Sequence, residues 1–128
     1  MKLGVLTPAL GLAVVLATAG VAWAQPQTKL VSRLDKGTIQ AIWCSALLFE
    51  ESYYHDADSD EAIRYENLAF DLGDSIEALL LDEHGMRQEE VDEIWSIFDG
   101  GAYDLAEADD EGFLAQLEMC ESNYDDLL

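Results

Sequence analysis

The stretch from Gly37 to Phe49, GTIQAIWCSALLF, carries no charge, although 26% of the chain is charged. Lys36 bounds it on one side and Glu50 and Glu51 on the other. Ile39, Trp43, Ala46, Glu50 and Tyr53 follow one side of a helix, and Ala41, Cys44, Leu47 and Leu48 another, so that it becomes amphipathic only after Phe49. A helix that is apolar nearly all round is a buried one. At about 20 Å this run is too short to cross a bilayer. The pattern therefore predicts a central helix over about Thr38–Tyr54, with Thr38 as its N-cap and Gly37 separating it from what precedes.

Three amphipathic helices are expected to cover it. Over about Asp60–Leu81, Ala62, Tyr65, Ala69, Leu72, Ile76 and Leu79 recur in steps of three and four, the spacing of a helix face. Leu68, Phe70 and Leu80 widen that face, and Gly73 marks a close approach or a slight bend. Asp58 or Ser59 caps its start, and Gly85 fits the left-handed residue that ends it. Over about Arg87–Phe98, Val91, Ile94, Trp95 and Phe98 lie at i, i+3, i+4 and i+7, and Asp99-Gly100-Gly101 reads as a stop. Tyr103–Ala108 is expected to form a short turn. A last helix from Asp109 to about Ser122 places Phe113, Leu117 and Cys120 on one side, and Asn123–Leu128 is expected to fray. No alternating pattern competes with these helices. The fold class read from the chain is all-α, a small bundle of about four helices.

The N-terminus has a different character. Met1 and Lys2 precede an uncharged apolar run from Leu3 to Val21, then Ala22-Trp23-Ala24, a small-x-small cleavage pattern. This is the layout of a secretory signal peptide over 1–24, with an uncleaved anchor as the alternative, since the run is long enough to span a bilayer. Residues 25–36 then form a leader or short helix carrying Leu30, Val31 and Leu34, and 37–128 an acidic helical domain. The expected location is the periplasm or the extracellular space.

Export bears on the two cysteines, Cys44 and Cys120. In an oxidising compartment they are expected to form one disulfide, joining the first and last main helices. Two thiols or an intermolecular bridge are the alternatives.

Charge narrows the function classes. The formal net charge of −21 becomes −22 once Lys2 is removed with the signal. From Gln88 to Leu128 there are 14 acidic residues and no Lys or Arg. Such a surface repels nucleic acid and anionic lipid. It attracts a basic protein or divalent cations, and it also serves solubility and the monomeric state.

Candidate chemistry is sparse. Asp56, Asp58 and Asp60 in the HDADSD segment space carboxylates as an EF-hand loop begins. The sixth position, however, is Glu61 where a glycine is needed, and the twelfth is Asn67 where a bidentate Glu is needed. What remains is a weak divalent-cation site on these three aspartates. His55 and His84 lie at opposite ends of the second predicted helix, roughly 40 Å apart, and do not share a metal. Cys44, in an apolar helix, lacks the exposed, electropositive setting of a reactive thiol, and no serine sits in a nucleophile elbow. No enzyme activity and no cofactor are read from the chain. Tyr53 and Tyr54 are adjacent and cannot both face one core, so one of them is a candidate aromatic anchor for a partner. The expected function is that of an exported, non-catalytic protein-binding module of the adaptor, immunity-like or envelope kind. The alternative is weak binding of a divalent cation or small ligand at residues 55–60.

Overall fold

The computed structural model describes residues 28–128. The signal peptide expected over 1–24 and the start of the leader lie outside the described residues. Four helices make the fold: α1 (Lys36–Ser52), α2 (Asp60–Asp82), α3 (Gln88–Ala108) and α4 (Asp110–Ser122). Short 3-10 turns stand at Val31–Arg33 and Tyr124–Asp126, and no strand occurs among the described residues.

The charge-free stretch becomes the axis of the bundle. α1 packs against each of the other three helices. Every residue from Ala41 to Leu48 is buried, with Ile42, Leu47 and Leu48 at 0% exposure. Trp43 lies edge-on to Phe98 of α3, with ring centroids 6.3 Å apart, and its indole N–H donates to Gln116 Oε1 of α4 over 2.7 Å. That bond satisfies a donor whose burial would otherwise cost about 1–3 kcal/mol. Cys44 is bonded to Cys120, with Cα atoms 5.4 Å apart. The disulfide thus ties the first main helix to the last across a sequence separation of 76 residues.

The start of α1 differs from the expectation. Its N-cap is Asp35, whose carboxylate accepts from the Thr38 amide at 3.2 Å and the Thr38 hydroxyl at 2.7 Å. Asp caps at least as well as Thr, and Gly37 is absorbed into the first turn. Thr38 is itself buried. The hydroxyl bond, followed by the amide bond, holds Asp35 below the usual carboxylate range. The preceding arm is part of the core, since Val31 is fully buried and Leu34 nearly so.

α2 begins at Ser59, whose hydroxyl accepts from the Ala62 amide at 3.1 Å. Its buried stripe is Ala62, Ala69, Leu72, Ile76 and Leu80, so Leu80 rather than Leu79 completes it. Gly85 adopts φ +61°, and the Met86 amide bonds back to the Leu80 carbonyl at 3.0 Å. A left-handed glycine therefore ends this helix as the sequence indicates.

α3 does not stop at Asp99-Gly100-Gly101 but runs on to Ala108. Two internal glycines cost roughly 2 kcal/mol of helix propensity. Packing offsets this, because Ala102 is fully buried one turn beyond the buried Phe98, and α3 goes on to contact α4. The turn expected over Tyr103–Ala108 is the continuation of that helix. α3 and α4 are separated only by Asp109, which accepts from the Gly112 amide at 3.0 Å. The C-terminus is also anchored rather than frayed: the Tyr124 hydroxyl donates to the Leu68 carbonyl at 2.8 Å, and Leu127 is buried.

Candidate functional site

A second stripe on α2 carries Phe70, Gly73, Asp74 and Glu77, at i, i+3, i+4 and i+7. It is rotated away from the core stripe and faces a cleft. Ser45 and Phe49 of α1 form another wall, and Trp95 and Asp99 of α3 the third, each pair one helical turn apart. The cleft encloses about 220 Å³. Three of its residues are carboxylates, three are aromatic and none is basic.

Gly73 shapes the cleft. A Cβ there would meet Ser45 Oγ at 3.6 Å and the Trp95 ring at 3.8 Å, both ordinary contacts. Alanine would therefore fit, and the close helix approach expected from the sequence does not require glycine. Ser45 is buried and donates to the Ala69 carbonyl at 2.9 Å, which fixes α1 against α2 beneath the cleft.

Asp99 is the half-buried acid of the group. Burial, with the nearby Glu50 carboxylate adding to it, pushes its pKa up to about 6. No hydrogen-bond donor among the described residues offsets those two influences.

An aromatic ridge leads away from the cleft. Phe49 is in ring contact with Phe70 at 5.5 Å and with Tyr53 at 5.1 Å. Phe70 is 50% exposed and Tyr53 66% exposed. Both tyrosines face solvent, but they go to different neighbours. Tyr54 lies edge-on to Phe113 at 6.2 Å and donates to Glu50. Burial, then that hydrogen bond, holds its phenol above the ordinary tyrosine range. Of the two expected anchors, Tyr53 is the one joined to the cleft.

None of the acidic-loop residues lines the cleft. Asp56, Asp58 and Asp60 are all exposed. The Asp56 carbonyl accepts from the Ser59 amide and hydroxyl, and Asp60 is already the first residue of α2. Among the described residues, no group of three His, Cys, Asp or Glu is placed to hold a metal ion. His55 is held within the fold, with Nε2 2.8 Å from Glu51 and its ring stacked on Tyr65 at 5.6 Å. Arg64 covers the same Tyr65 ring at 4.4 Å and reaches Glu121 at 3.0 Å. His84 lies 3.7 Å from Asp35, near the start of α1.

No Lys or Arg lines the cleft. Arg33 pairs with Glu90 at 3.0 Å, and Arg87 pairs with Glu89 and Glu90. The sequence carried a signal for the cleft in the i, i+3, i+4, i+7 run of Phe70, Gly73, Asp74 and Glu77. Phe70 also fits the core face by periodicity, which masks that run. Asp99 carries no such signal, because Asp99-Gly100-Gly101 reads as a helix stop.

Comparison with protein-family models, curated proteins and solved structures finds no match. Among the described residues, no helix is long and apolar enough to cross a membrane.

Proposed function

We propose that this chain is an exported, non-catalytic helical module that binds a basic protein. The observation that carries the reading is the cleft: three carboxylates and three aromatic rings without a base, set in a strongly acidic surface. Aromatic residues serve as anchors in protein interfaces, and complementary charge steers a basic partner toward them. The Phe49–Tyr53 contact extends this surface beyond the cleft. Export is supported by the leader pattern at 1–24 and by the Cys44–Cys120 bond, a linkage that persists in oxidising compartments.

The test is retention of a basic protein from an envelope or secreted extract by the immobilised mature chain. Binding should fall steeply as salt rises from about 0.05 M to about 0.5 M, because screening shortens the reach of surface charge. In the producing cell, a photo-cross-linker at Tyr53 should capture that protein more efficiently than one at exposed Asp82. Retention that is indifferent to salt, or equal capture from both positions, would count against the reading.

A further inference from the structure

Resting on that reading, the geometry points to a specific occupant: the cleft between α1, α2 and α3 receives an arginine side chain of the basic partner, its guanidinium against the Trp95, Phe49 and Phe70 rings and facing Asp99.

Size comes first. A volume of about 220 Å³ lies below the roughly 300–1,000 Å³ of pockets that enclose whole small ligands. It suits one inserted side chain. Chemistry comes second. Aromatic faces attract cations, and a guanidinium is planar, weakly hydrated and able to stack on a ring while bonding a carboxylate. An ammonium is a compact, strongly hydrated charge and loses more on entering a cleft whose lining is mostly apolar.

Two features are unexplained by folding alone. Asp99 is half-buried beside Glu50, with no donor among the described residues to satisfy it. Partial burial of an unpaired carboxylate is unfavourable, and an entering cation removes that penalty. Gly73 sits inside a helix at a cost of about 1 kcal/mol relative to alanine, although a Cβ would fit. Leaving that position bare keeps the floor between Ser45 and Trp95 open. The occupant belongs to a macromolecule rather than a small amine because the ridge continues from Phe49 to Tyr53, which does not line the cleft and offers a second contact to the residues flanking the arginine.

Binding should also depend on pH. The charges around Asp99 are Glu50 on α1 and Asp74 and Glu77 on α2. At pH 5, about one unit below its pKa, Asp99 is mostly protonated, and affinity should drop by up to about tenfold from that at pH 7.5.

Calorimetric titration of the mature, disulfide-bonded protein tests this. The probe is a short Gly-Ser peptide with one arginine flanked by lysines, with counterparts carrying citrulline or lysine in place of the arginine. Asp99→Asn and citrulline should each weaken binding by about tenfold, the loss of one charge-assisted contact. Gly73→Ala should weaken binding about threefold or more while raising thermal stability, a combination that misfolding does not produce. Asp104→Asn, an exposed charge outside the cleft, should change affinity by less than about twofold. If Asp99→Asn and Gly73→Ala behave like Asp104→Asn while wild-type binding stays salt-sensitive, the cleft assignment fails and the acidic-surface reading stands. Equal binding of the lysine counterpart, or equal affinity for free arginine amide, overturns the assignment to an inserted arginine. No binding of any peptide at low salt overturns both readings.

Discussion

Reduction of the Cys44–Cys120 bond perturbs the fold without changing the sequence. The bond joins residues 76 apart in sequence. The chain-entropy relation for a loop of that length gives about 4.5 kcal/mol of stabilisation, acting through the unfolded state. Both sulfurs are buried, at 2% exposure for each residue, so the oxidised pair also fills core space between α1 and α4. A domain of this size typically has about 5–15 kcal/mol in total. Removing the bond should therefore take away about 30% of it or more. The clean comparison uses one sequence, oxidised and thiol-reduced, in urea unfolding followed by far-UV circular dichroism. Reduction leaves the packed atoms nearly in place, whereas Cys44→Ala with Cys120→Ala adds a cavity cost. A loss of about 3–5 kcal/mol is expected, together with a larger m value because the unfolded chain expands. Unfolding free energies within about 1 kcal/mol of each other would refute the account of the bond as a constraint on the open chain.

Three further outcomes are expected. Asp99 binds its proton more tightly folded than unfolded, with a pKa raised from 3.8 to about 6. Folding stability should therefore decline as pH rises from about 4 to about 6 and stay lower above that. Asp99→Asn should remove this decline and raise stability at pH 7.5 by about 1 kcal/mol, well under the roughly 3 kcal/mol of the unscreened shift because the group is partly solvated. Melting curves at pH 4 should show no gain. Gln116→Leu strands the buried Trp43 indole N–H and should cost about 1–3 kcal/mol in urea unfolding. Combination with Trp43→Phe should cost less than the sum of the two single changes. Leu47→Lys places a charge at a fully buried position of α1 and should abolish folding. A soluble, helical variant with unchanged melting would contradict the role of α1 as the axis.

The helices were legible because burial follows periodicity. The charge-free run around Cys44 could only be an interior helix, and Phe113, Leu117 and Cys120 in phase brought the last helix onto it. Local signals misled where tertiary contacts outweighed them. Gly100 and Gly101 read as a stop, but burial of Ala102 holds α3 together through them. Asn123–Leu128 looked like a frayed end, yet the Tyr124 hydroxyl and the Leu127 side chain dock it. At the start of α1, Asp35 caps the helix in place of Thr38, which is buried and donates its hydroxyl to the Asp35 carboxylate. The cleft was least legible because its walls come from three helices. Each contributes one turn, and no single segment shows that Phe70, Trp95 and Asp99 meet. Tyr53 was visible as an exposed aromatic, but its link to the cleft runs through Phe49 and exists only in the fold.

The central claim is that the acidic aromatic cleft is where a cationic partner is held. Its most direct test is an amide chemical-shift map of the isotopically labelled mature protein, titrated with the arginine-bearing peptide. The largest shifts should gather at Ser45, Phe49, Phe70, Gly73 and Asp99 and at the Trp95 indole. Shifts concentrated instead along Asp104–Asp126, or spread evenly over the acidic surface, would contradict it.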